Sequence, residues 1–458
     1  MSDLSSPAPG RLWGLTLLAI ATGSALIPIN STMLAVALPA IMNDLQVGAA
    51  TVSWLVTAYL AAVALAMPIA GVLGDRLGFR RMYLLGVAGF AATSVIAAVA
   101  QTFALLIIAR VLQAASGAAI TANAASLIRA AAPEDRRGGS YGFYDMLIST
   151  SAAVGPFLGG LLVGGFGWRS LFTIAVPVGL VSGFVVAAVV PPRQRSADAR
   201  APLDGLGLGL VAAALLSLLV TLFEWRNGGV WVWSAAAFPV LLGILVRHER
   251  RVPRPAVDVR LFSVRSFSAA VAAVLGATVI LHASLILLPI LTQTVMDASP
   301  AASGTVLLML SGLGAVVSPV GGRLSDRYGR RLPAVIGSAC MAAGLAVLWL
   351  VTGRVALVGL TAALALVGIG SGFSGPSRQA AALESVPEHA IGMAAGTYFT
   401  SRYVGGVLGA SLAGVVLAGG TTATTIAQGF GTLAVVGLAV TAVSFGLRGR
   451  SGQAPAPA

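Results

Sequence analysis

The chain has 458 residues, of which 57% are hydrophobic and 9% charged, and its mean hydropathy is +0.93. Soluble domains carry about 25% charged residues, so this composition excludes a soluble protein and indicates an integral membrane protein. The net charge of +13 comes from 28 Arg and no Lys. These arginines lie in short segments between apolar stretches, which favours a topology signal over a nucleic-acid surface.

Fourteen apolar stretches approach the length of about 20 residues that a helix needs to cross a bilayer. The first exceeds the apolar core of a cleavable signal peptide, about 7–15 residues, and is expected to be a retained helix. With both termini cytoplasmic, 23 of the 28 arginines fall in cytoplasmic segments, as the positive-inside rule requires. The stretches lie near 14–38, 50–73, 82–100, 102–128, 140–165, 168–190, 205–223, 231–247, 266–291, 302–322, 333–351, 354–375, 391–418 and 426–447.

A charged turn between the second and third stretches recurs in the second half of the chain. The sequence GVLGDRLGFRR at 71–81 returns as GRLSDRYGRR at 322–331, at an offset of 251 residues. Such a repeat between two spans indicates a duplicated membrane bundle. The pattern resembles the loop between helices 2 and 3 of the major facilitator superfamily.

This resemblance implies an all-α integral membrane fold of two six-helix bundles. The two stretches beyond the expected twelve lie in the middle of the chain, which is typical of the fourteen-span drug:proton antiporter branch. The predicted division is an N-terminal bundle at 1–190, connectors with two extra helices at 191–265, and a C-terminal bundle with a cytoplasmic tail at 266–458.

In the superfamily this loop acts as a latch that holds the cytoplasmic side closed. Glycines allow close helix approach and a tight turn, and the arginines keep the loop in the cytoplasm. A pure topology role would explain the arginines but not the Asp-Gly pattern. Phe79 replaces the usual basic residue, so the first latch is expected to be the weaker one. The implied latch residues are Gly71, Gly74, Asp75, Arg76, Gly78, Arg80 and Arg81, with Gly322, Asp326, Arg327, Gly329 and Arg330.

The first and fourth spans carry polar candidates. Asn30 stands where the branch has a carboxylate that takes part in coupling, and an amide cannot titrate. It is therefore a candidate substrate contact or a hydrogen bond between helices. Arg110 and Gln113 match the family's R-x-x-Q pattern, which makes Arg110 a candidate for proton coupling and Gln113 a candidate cavity residue. An arginine within a span is a functional hypothesis by default. The alternative for Arg110 is a structural bond to carbonyls of the first helix.

Part of the fifth span resembles the antiporter motif of exporters. The residues that carry this resemblance are Gly155, Pro156, Gly159 and Gly160. Proline removes a backbone hydrogen bond, so a kink is expected there, and the motif favours outward transport. Asp145 is the one acidic residue placed well inside a span, and burial would make it a proton carrier. The alternative is that it faces cytoplasmic water. The neighbouring Tyr144 is a candidate cavity residue.

In the second half, His282 lies mid-span and is a candidate for proton coupling or for a bond between helices. Arg402 resembles an Arg-x-x-Gly-Gly pattern of the branch and is a candidate cavity residue. The segment 376–390, with Arg378, is expected to be a cytoplasmic connector. Aromatic residues that could line a cavity are Trp54, Tyr59, Phe143, Tyr144, Tyr398 and Phe399.

The sequence predicts a transporter and not an enzyme. It has no phosphate-binding G-x-x-x-x-G-K-[ST], no cluster with metal-ligand spacing and no nucleophile-base motif. We expect a bacterial plasma-membrane exporter of amphipathic small molecules, cationic ones included, that works by alternating access. It would use the proton gradient and no cofactor, act as a monomer in the bilayer, and bind no nucleic acid. The alternatives are a transporter of a specific metabolite or lipid without proton coupling, and a transport-inactive sensor of the same fold.

Overall fold

A computed structural model describes residues 10–131, 137–190, 204–224, 229–252, 259–352, 357–386 and 391–448. These ranges are helical and contain no strand, which confirms the all-α prediction. A short 3₁₀ turn, Val259–Ser263, and a π turn, Leu291–Val295, flank one of the helices. The α-helices are α1 (Gly10–Leu45), α2 (Ala49–Val52), α3 (Trp54–Leu77), α4 (Phe79–Ala98), α5 (Phe103–Ala131), α6 (Arg137–Phe166), α7 (Ser170–Thr173), α8 (Ala175–Val189), α9 (Gly205–Glu224), α10 (Val230–Glu249), α11 (Arg265–Ile290), α12 (Pro300–Tyr328), α13 (Arg331–Val351), α14 (Leu357–Glu384), α15 (Ile391–Ala418) and α16 (Ala423–Ser444).

Twelve helices in the described part of the chain are long and apolar enough to cross a membrane. Helices suit that role because they satisfy their backbone hydrogen bonds internally. Two further apolar helical segments, Thr150–Phe166 and Gly205–Leu218, are shorter. A multi-span membrane protein is therefore confirmed, and the count of fourteen stays a prediction.

The chain forms two compact units, residues 1–208 with 299–304 and residues 209–298 with 305–458. In the first unit α1 packs on α5, α6 and α8, and α4 packs on α5 and α8. In the second unit α11 packs on α14, α15 and α16, and α13 packs on α14 and α16. Helices at corresponding places thus have corresponding neighbours, as expected of a duplicated bundle. The predicted division at 190 and 265 stays a prediction; α10 and most of α9 group with the second unit.

Glycines at matching places allow the closest helix contacts. A Cβ on Gly86 of α4 would lie 2.8 Å from the Ser116 carbonyl oxygen of α5, and one on Gly337 of α13 would lie 2.5 Å from the Gly370 carbonyl oxygen of α14. The two glycines are 251 residues apart. The motif repeat therefore continues in the helix packing, which depends on small residues.

One sequence expectation is wrong. Residues 376–384 are not a connector, because α14 continues through Pro376 to Glu384. The Ser374 hydroxyl donates to the Gly370 carbonyl oxygen (2.8 Å) on the turn before the proline, and the following QAAALE contains strong helix formers. Arg378 therefore lies inside a helix and is only 4% exposed.

Candidate functional site

A buried polar network joins α1, α4 and α5. The Arg110 side chain is completely buried, and its Nη1 donates to Asn30 Oδ1 and to Gln113 Oε1, both at 2.6 Å. Gln113 Nε2 donates in turn to Ser94 Oγ at 2.7 Å. The first-span and fourth-span candidates therefore meet, and the bond from Arg110 goes to the Asn30 side chain instead of a helix carbonyl. Ser94 was not singled out in the sequence, where nothing distinguishes it from other span hydroxyls.

The guanidinium of Arg110 keeps unused hydrogen-bonding capacity. Its carbon lies 3.9 Å from the centre of the Tyr59 ring, a cation–π distance. Among the described residues, Nε and Nη2 have no hydrogen-bond partner. The two acceptors that Arg110 has are neutral amides. A buried cation held in this way, without a carboxylate among its partners, is typical of a site that acts on a ligand or on conformation.

The α6 motif packs against α1. A Cβ on Gly159 would lie 2.8 Å from the Met33 carbonyl oxygen, and one on Gly155 would collide with Thr32 Oγ1. Gly160 approaches Pro300 in the same way. The helix is continuous through Pro156, so these glycines serve helix contact, while the kink and the outward direction stay predictions.

The main proton-carrier candidate falls within α6. Asp145 lies in this helix, but its side chain is outside the described residues, so its role stays a prediction. The adjacent Tyr144 is buried.

A second polar group gathers α11, α14 and α15. His282 is half-buried, and its Nδ1 lies 3.0 Å from the Thr278 carbonyl oxygen. Because a carbonyl only accepts, Nδ1 carries a hydrogen and donates this bond. Arg402 is exposed, and its charge acts on His282 and on Arg378. Arg378 was expected in a connector and is the residue of this group that sequence reasoning misplaced.

The repeated loops make their turns at equivalent glycines. Gly78 has φ +96° and Gly329 has φ +85°, a region that side chains rarely adopt. Arg80 donates to the Ala187 carbonyl oxygen near the end of α8 (2.6 Å), and Arg331 donates to the Leu447 carbonyl oxygen just after α16 (2.9 Å). Both loops therefore hold the last helix of their own unit.

Only the second loop has a described ion-pair cluster. Arg330 donates to both carboxylate oxygens of Glu384 in α14, at 2.9 and 2.5 Å, and to Asp326 at 2.6 Å. The third partner of Arg330 is Ser325, whose Oγ accepts at 3.0 Å. The hydrogen bonds that Arg330 donates to Glu384 raise the pKa of Arg330 above its usual range, against the effect of partial burial. Arg327 lies over the Tyr328 ring at 5.4 Å.

The glycines of the first loop differ in how closely other residues pack against them. A Cβ on Gly74 would collide with Asn123 of α5, whose Nδ2 donates to the Ala70 carbonyl oxygen at 3.2 Å. The expectation of close packing therefore holds at this position. At Gly71 it stays a prediction, because a Cβ there would meet no described atom within 4 Å. The side chains of Asp75 and Arg76 lie outside the described residues.

The opposite end of the first unit has an ion pair that the sequence did not reveal. Arg169 Nη1 lies 2.7 Å from Asp44 Oδ2, and Arg169 also donates to the Ala100 carbonyl oxygen at 3.0 Å. Trp168 Nε1 donates to the same carboxylate at 3.2 Å. This cluster ties the ends of α1 and α4 to the turn before α7.

Comparison with known proteins identifies the class. The fold matches the bacterial homologue of the human lysosomal transporter Spinster, in its inward-facing and unoccupied form, with a TM-score of 0.71 and 16% identity over 96% of this chain and 97% of that one. The chain is 32% identical to the tetracenomycin C resistance and export protein of Streptomyces glaucescens, over 89% of this chain and 76% of the relative. It is 31% identical to the multidrug resistance protein Stp of Mycobacterium tuberculosis, over 90% and 77%. The molecule is thus a membrane transporter and not an enzyme.

The family follows from a direct match. Residues 20–410 match the Major Facilitator Superfamily. The chain belongs to this superfamily, and its similar proteins include multidrug and antibiotic exporters.

Proposed function

We propose that the protein is a secondary active exporter of amphipathic drugs or antibiotics that works by alternating access in exchange for protons. The likeness to a tetracenomycin C export protein over 89% of the chain carries the proposal. The completely buried Arg110, with two donors that lack described partners, supports a ligand-responsive site in the first unit. Asp145, on α6, is the proposed proton carrier.

The proposal includes the fourteen-span architecture of the drug:proton antiporter branch. We place the protein in a bacterial plasma membrane as a monomer with both termini cytoplasmic. The Arg-rich segments between spans support that orientation. No cofactor is part of the proposed cycle, because the proton gradient supplies the energy.

One observation favours a second candidate, a transporter without proton coupling. Asn30 occupies the position at which the branch carries a carboxylate, and it accepts a hydrogen bond from Arg110 at 2.6 Å. Since an amide cannot carry a proton, this site offers no proton path of its own. The two candidates therefore differ in whether Asp145 titrates during transport.

Proteoliposomes with entrapped pyranine distinguish the two candidates. Three anthracenes of similar shape serve as probes: 9-anthracenecarboxylate, 9-anthracenemethanol and 9-anthracenemethylammonium. Addition of a transported probe should drive counter-movement of protons in the wild type. Asp145→Asn should reduce that proton flux at least tenfold while substrate movement down its gradient continues. Asp297→Asn, which changes an exposed carboxylate of the same chain, is the matched control and should behave as wild type.

Each outcome decides between the candidates. Substrate movement without proton flux in the wild type would refute antiport and favour the uncoupled transporter. Proton flux that survives in Asp145→Asn would move the proton site elsewhere, with His282 next. If no probe moves in the wild type, the proposed export of amphipathic compounds fails.

A further inference from the structure

The polar group of the second unit contains two guanidinium groups from different helices. Arg378 of α14 is 4% exposed, donates to Ser374 Oγ at 2.6 Å, and interacts electrostatically with Tyr398 and Arg402 of α15. Tyr398 of α15 packs in one buried cluster with Ala381 and Ala382 of α14. This contact brings the start of α15 beside the turn of α14 that carries Arg378.

Arg402 lies on the same side of α15 as the helix contacts. Tyr398, Arg402, Gly405 and Gly409 are spaced by three or four residues and so share one face. A Cβ on Gly409 would lie 2.9 Å from Val279 Cα of α11, and one on Gly405 would collide with the Leu275 carbonyl oxygen. Arg402 therefore lies on the face of α15 that packs on α11, about one turn before Gly405, and its charge acts on both His282 and Arg378.

No carboxylate neutralises these cations within the three helices. The sequences of α11 and α15 contain no Asp or Glu, and the single acid of α14, Glu384, gives both oxygens to Arg330. Among the described residues, Arg402 makes no ion pair and Arg378 Nε has no hydrogen-bond partner. Two like charges in an apolar surrounding are costly unless a counter-charge arrives.

We infer that Arg402 and Arg378 form an anion subsite, which binds a carboxylate or other acidic group of an amphipathic substrate. This inference rests on the proposed function and narrows its substrate class from amphipathic compounds to amphipathic acids. Arg402 is the exposed cation that meets the acidic group first. Arg378 is the buried cation: Ser374 accepts a hydrogen bond from its Nη1, and its Nε remains available to the acidic group.

An anionic substrate also changes the energetics of export. Moving one elementary charge across a membrane potential of 100 mV, negative inside, changes its free energy by about 2.3 kcal/mol. For a monovalent anion this corresponds to an equilibrium concentration about 50-fold higher outside than inside. Export of an acid therefore proceeds even if Asn30 leaves the first unit without a coupling carboxylate. An anion subsite is therefore compatible with a first helix that has Asn30 in place of a coupling carboxylate.

The test is binding of the same three anthracene probes to the full-length protein in phosphatidylcholine nanodiscs at pH 7.5, with empty nanodiscs to subtract partitioning. We expect the carboxylate to bind at least tenfold more tightly than the alcohol, and the ammonium more weakly than both, because charge-assisted hydrogen bonds are the strong ones. Arg402→Gln should remove that preference and leave alcohol binding within twofold. Arg402→Lys should restore part of it, because the charge stays and the planar fork is lost.

Two further variants complete the test. Arg265→Gln removes an exposed cation at the start of α11 and should leave the preference intact. Arg378→Gln changes a buried side chain, so its folding is first checked by size-exclusion chromatography and thermal unfolding. If it folds, it should lose the preference as Arg402→Gln does.

The result that overturns the inference is the absence of a carboxylate preference, whether all three probes bind equally, the ammonium binds best or none binds. Transport of the probes separates this failure from that of the proposed function. Movement of the alcohol or the ammonium without a carboxylate preference would leave an exporter but remove the subsite. Arg402-dependent carboxylate binding without transport of any probe would leave the subsite and remove the exporter.

Discussion

The two loops related by the 251-residue repeat share their turn geometry and differ in the side chain that follows the turn glycine. Gly78 and Gly329 both have positive φ, and Arg80 and Arg331 both donate to a carbonyl at the end of their unit's last helix. The residue between this glycine and this arginine differs: it is Phe79 in the first loop and Arg330 in the second. The elements that shape the turn are therefore repeated, while the charged contact is not.

The residue after the turn glycine determines which contacts each loop makes. Arg330 joins Asp326 on α12 to Glu384 on α14, so the second loop is tied to a third helix by charge. The Phe79 ring lies near Gly74: its Cδ1 would be 3.2 Å from a Cβ at that glycine. The first loop thus has an apolar contact where the second has an ionic one. Turn geometry is a property of the duplicated fold, and the ionic latch is a property of one half.

Substitution of the turn glycines should have the largest effect, and a similar one in both halves. Gly78→Ala and Gly329→Ala each place a side chain at positive φ, which costs about 1–3 kcal/mol. Thermal unfolding of the purified variants in detergent, followed by tryptophan fluorescence, measures this loss. Gly71→Ala is the control within the same motif, because a Cβ there has open space and alanine favours a helix by about 0.5–1 kcal/mol over glycine. Destabilisation by Gly71→Ala equal to that by Gly78→Ala would refute the turn argument.

Loss of the charged contact should have a smaller effect, and only in the second half. The side chain of Arg330 is 20% exposed, but those of Glu384 and Asp326 are 56% and 73% exposed, so water screens the pairs. We expect Arg330→Gln to lower the free energy of unfolding by about 1 kcal/mol. The difference from wild type should shrink in 1 M NaCl, where the Debye length is about 3 Å.

Arg327→Gln is the matched control for this prediction. Arg327 is exposed on the same loop, and no ion pair of it occurs among the described residues. Its replacement should change stability by less than about 0.5 kcal/mol. Equal losses for Arg330→Gln and Arg327→Gln would mean that net loop charge matters and the specific contact with Glu384 does not.

The sequence predicted the features that depend on composition and local pattern. Mean hydropathy and stretch length predicted a multi-span helical membrane protein, and the Asp-Gly pattern indicated turns that occur at Gly78 and Gly329. Asn30 and Arg110 were both identified as candidates, but their 2.6 Å contact depends on how α1 and α5 face each other, which helical periodicity alone does not determine.

The misplacement of Arg378 has a physical reason. Residues 370–377, GSGFSGPS, carry the Gly, Pro and Ser density that marks a loop in soluble proteins. In membrane helices the same small residues permit close packing, and here they let α14 approach α12 and α13: a Cβ on Gly337 of α13 would lie 2.8 Å from the Ser374 backbone nitrogen, and one on Gly321 of α12 would lie 2.7 Å from the Phe373 carbonyl oxygen. Asn123 was missed because one amide hardly changes the hydropathy of its span.

The smallest expected change in stability is that of the reverse substitution, in the first loop. Phe79→Arg gives the first loop the basic residue of the second, yet we expect a change below about 0.5 kcal/mol, because Pro133 stands 251 residues before Glu384 and supplies no carboxylate. The lost ring contact beside Gly74 would offset any gain, and thermal unfolding with and without 1 M NaCl should give the same difference from wild type. A salt-sensitive stabilisation would contradict this and would implicate Glu134 or Asp135, the acids next to that position in the sequence. The first half would then contain the components of an ionic latch and lack only its arginine.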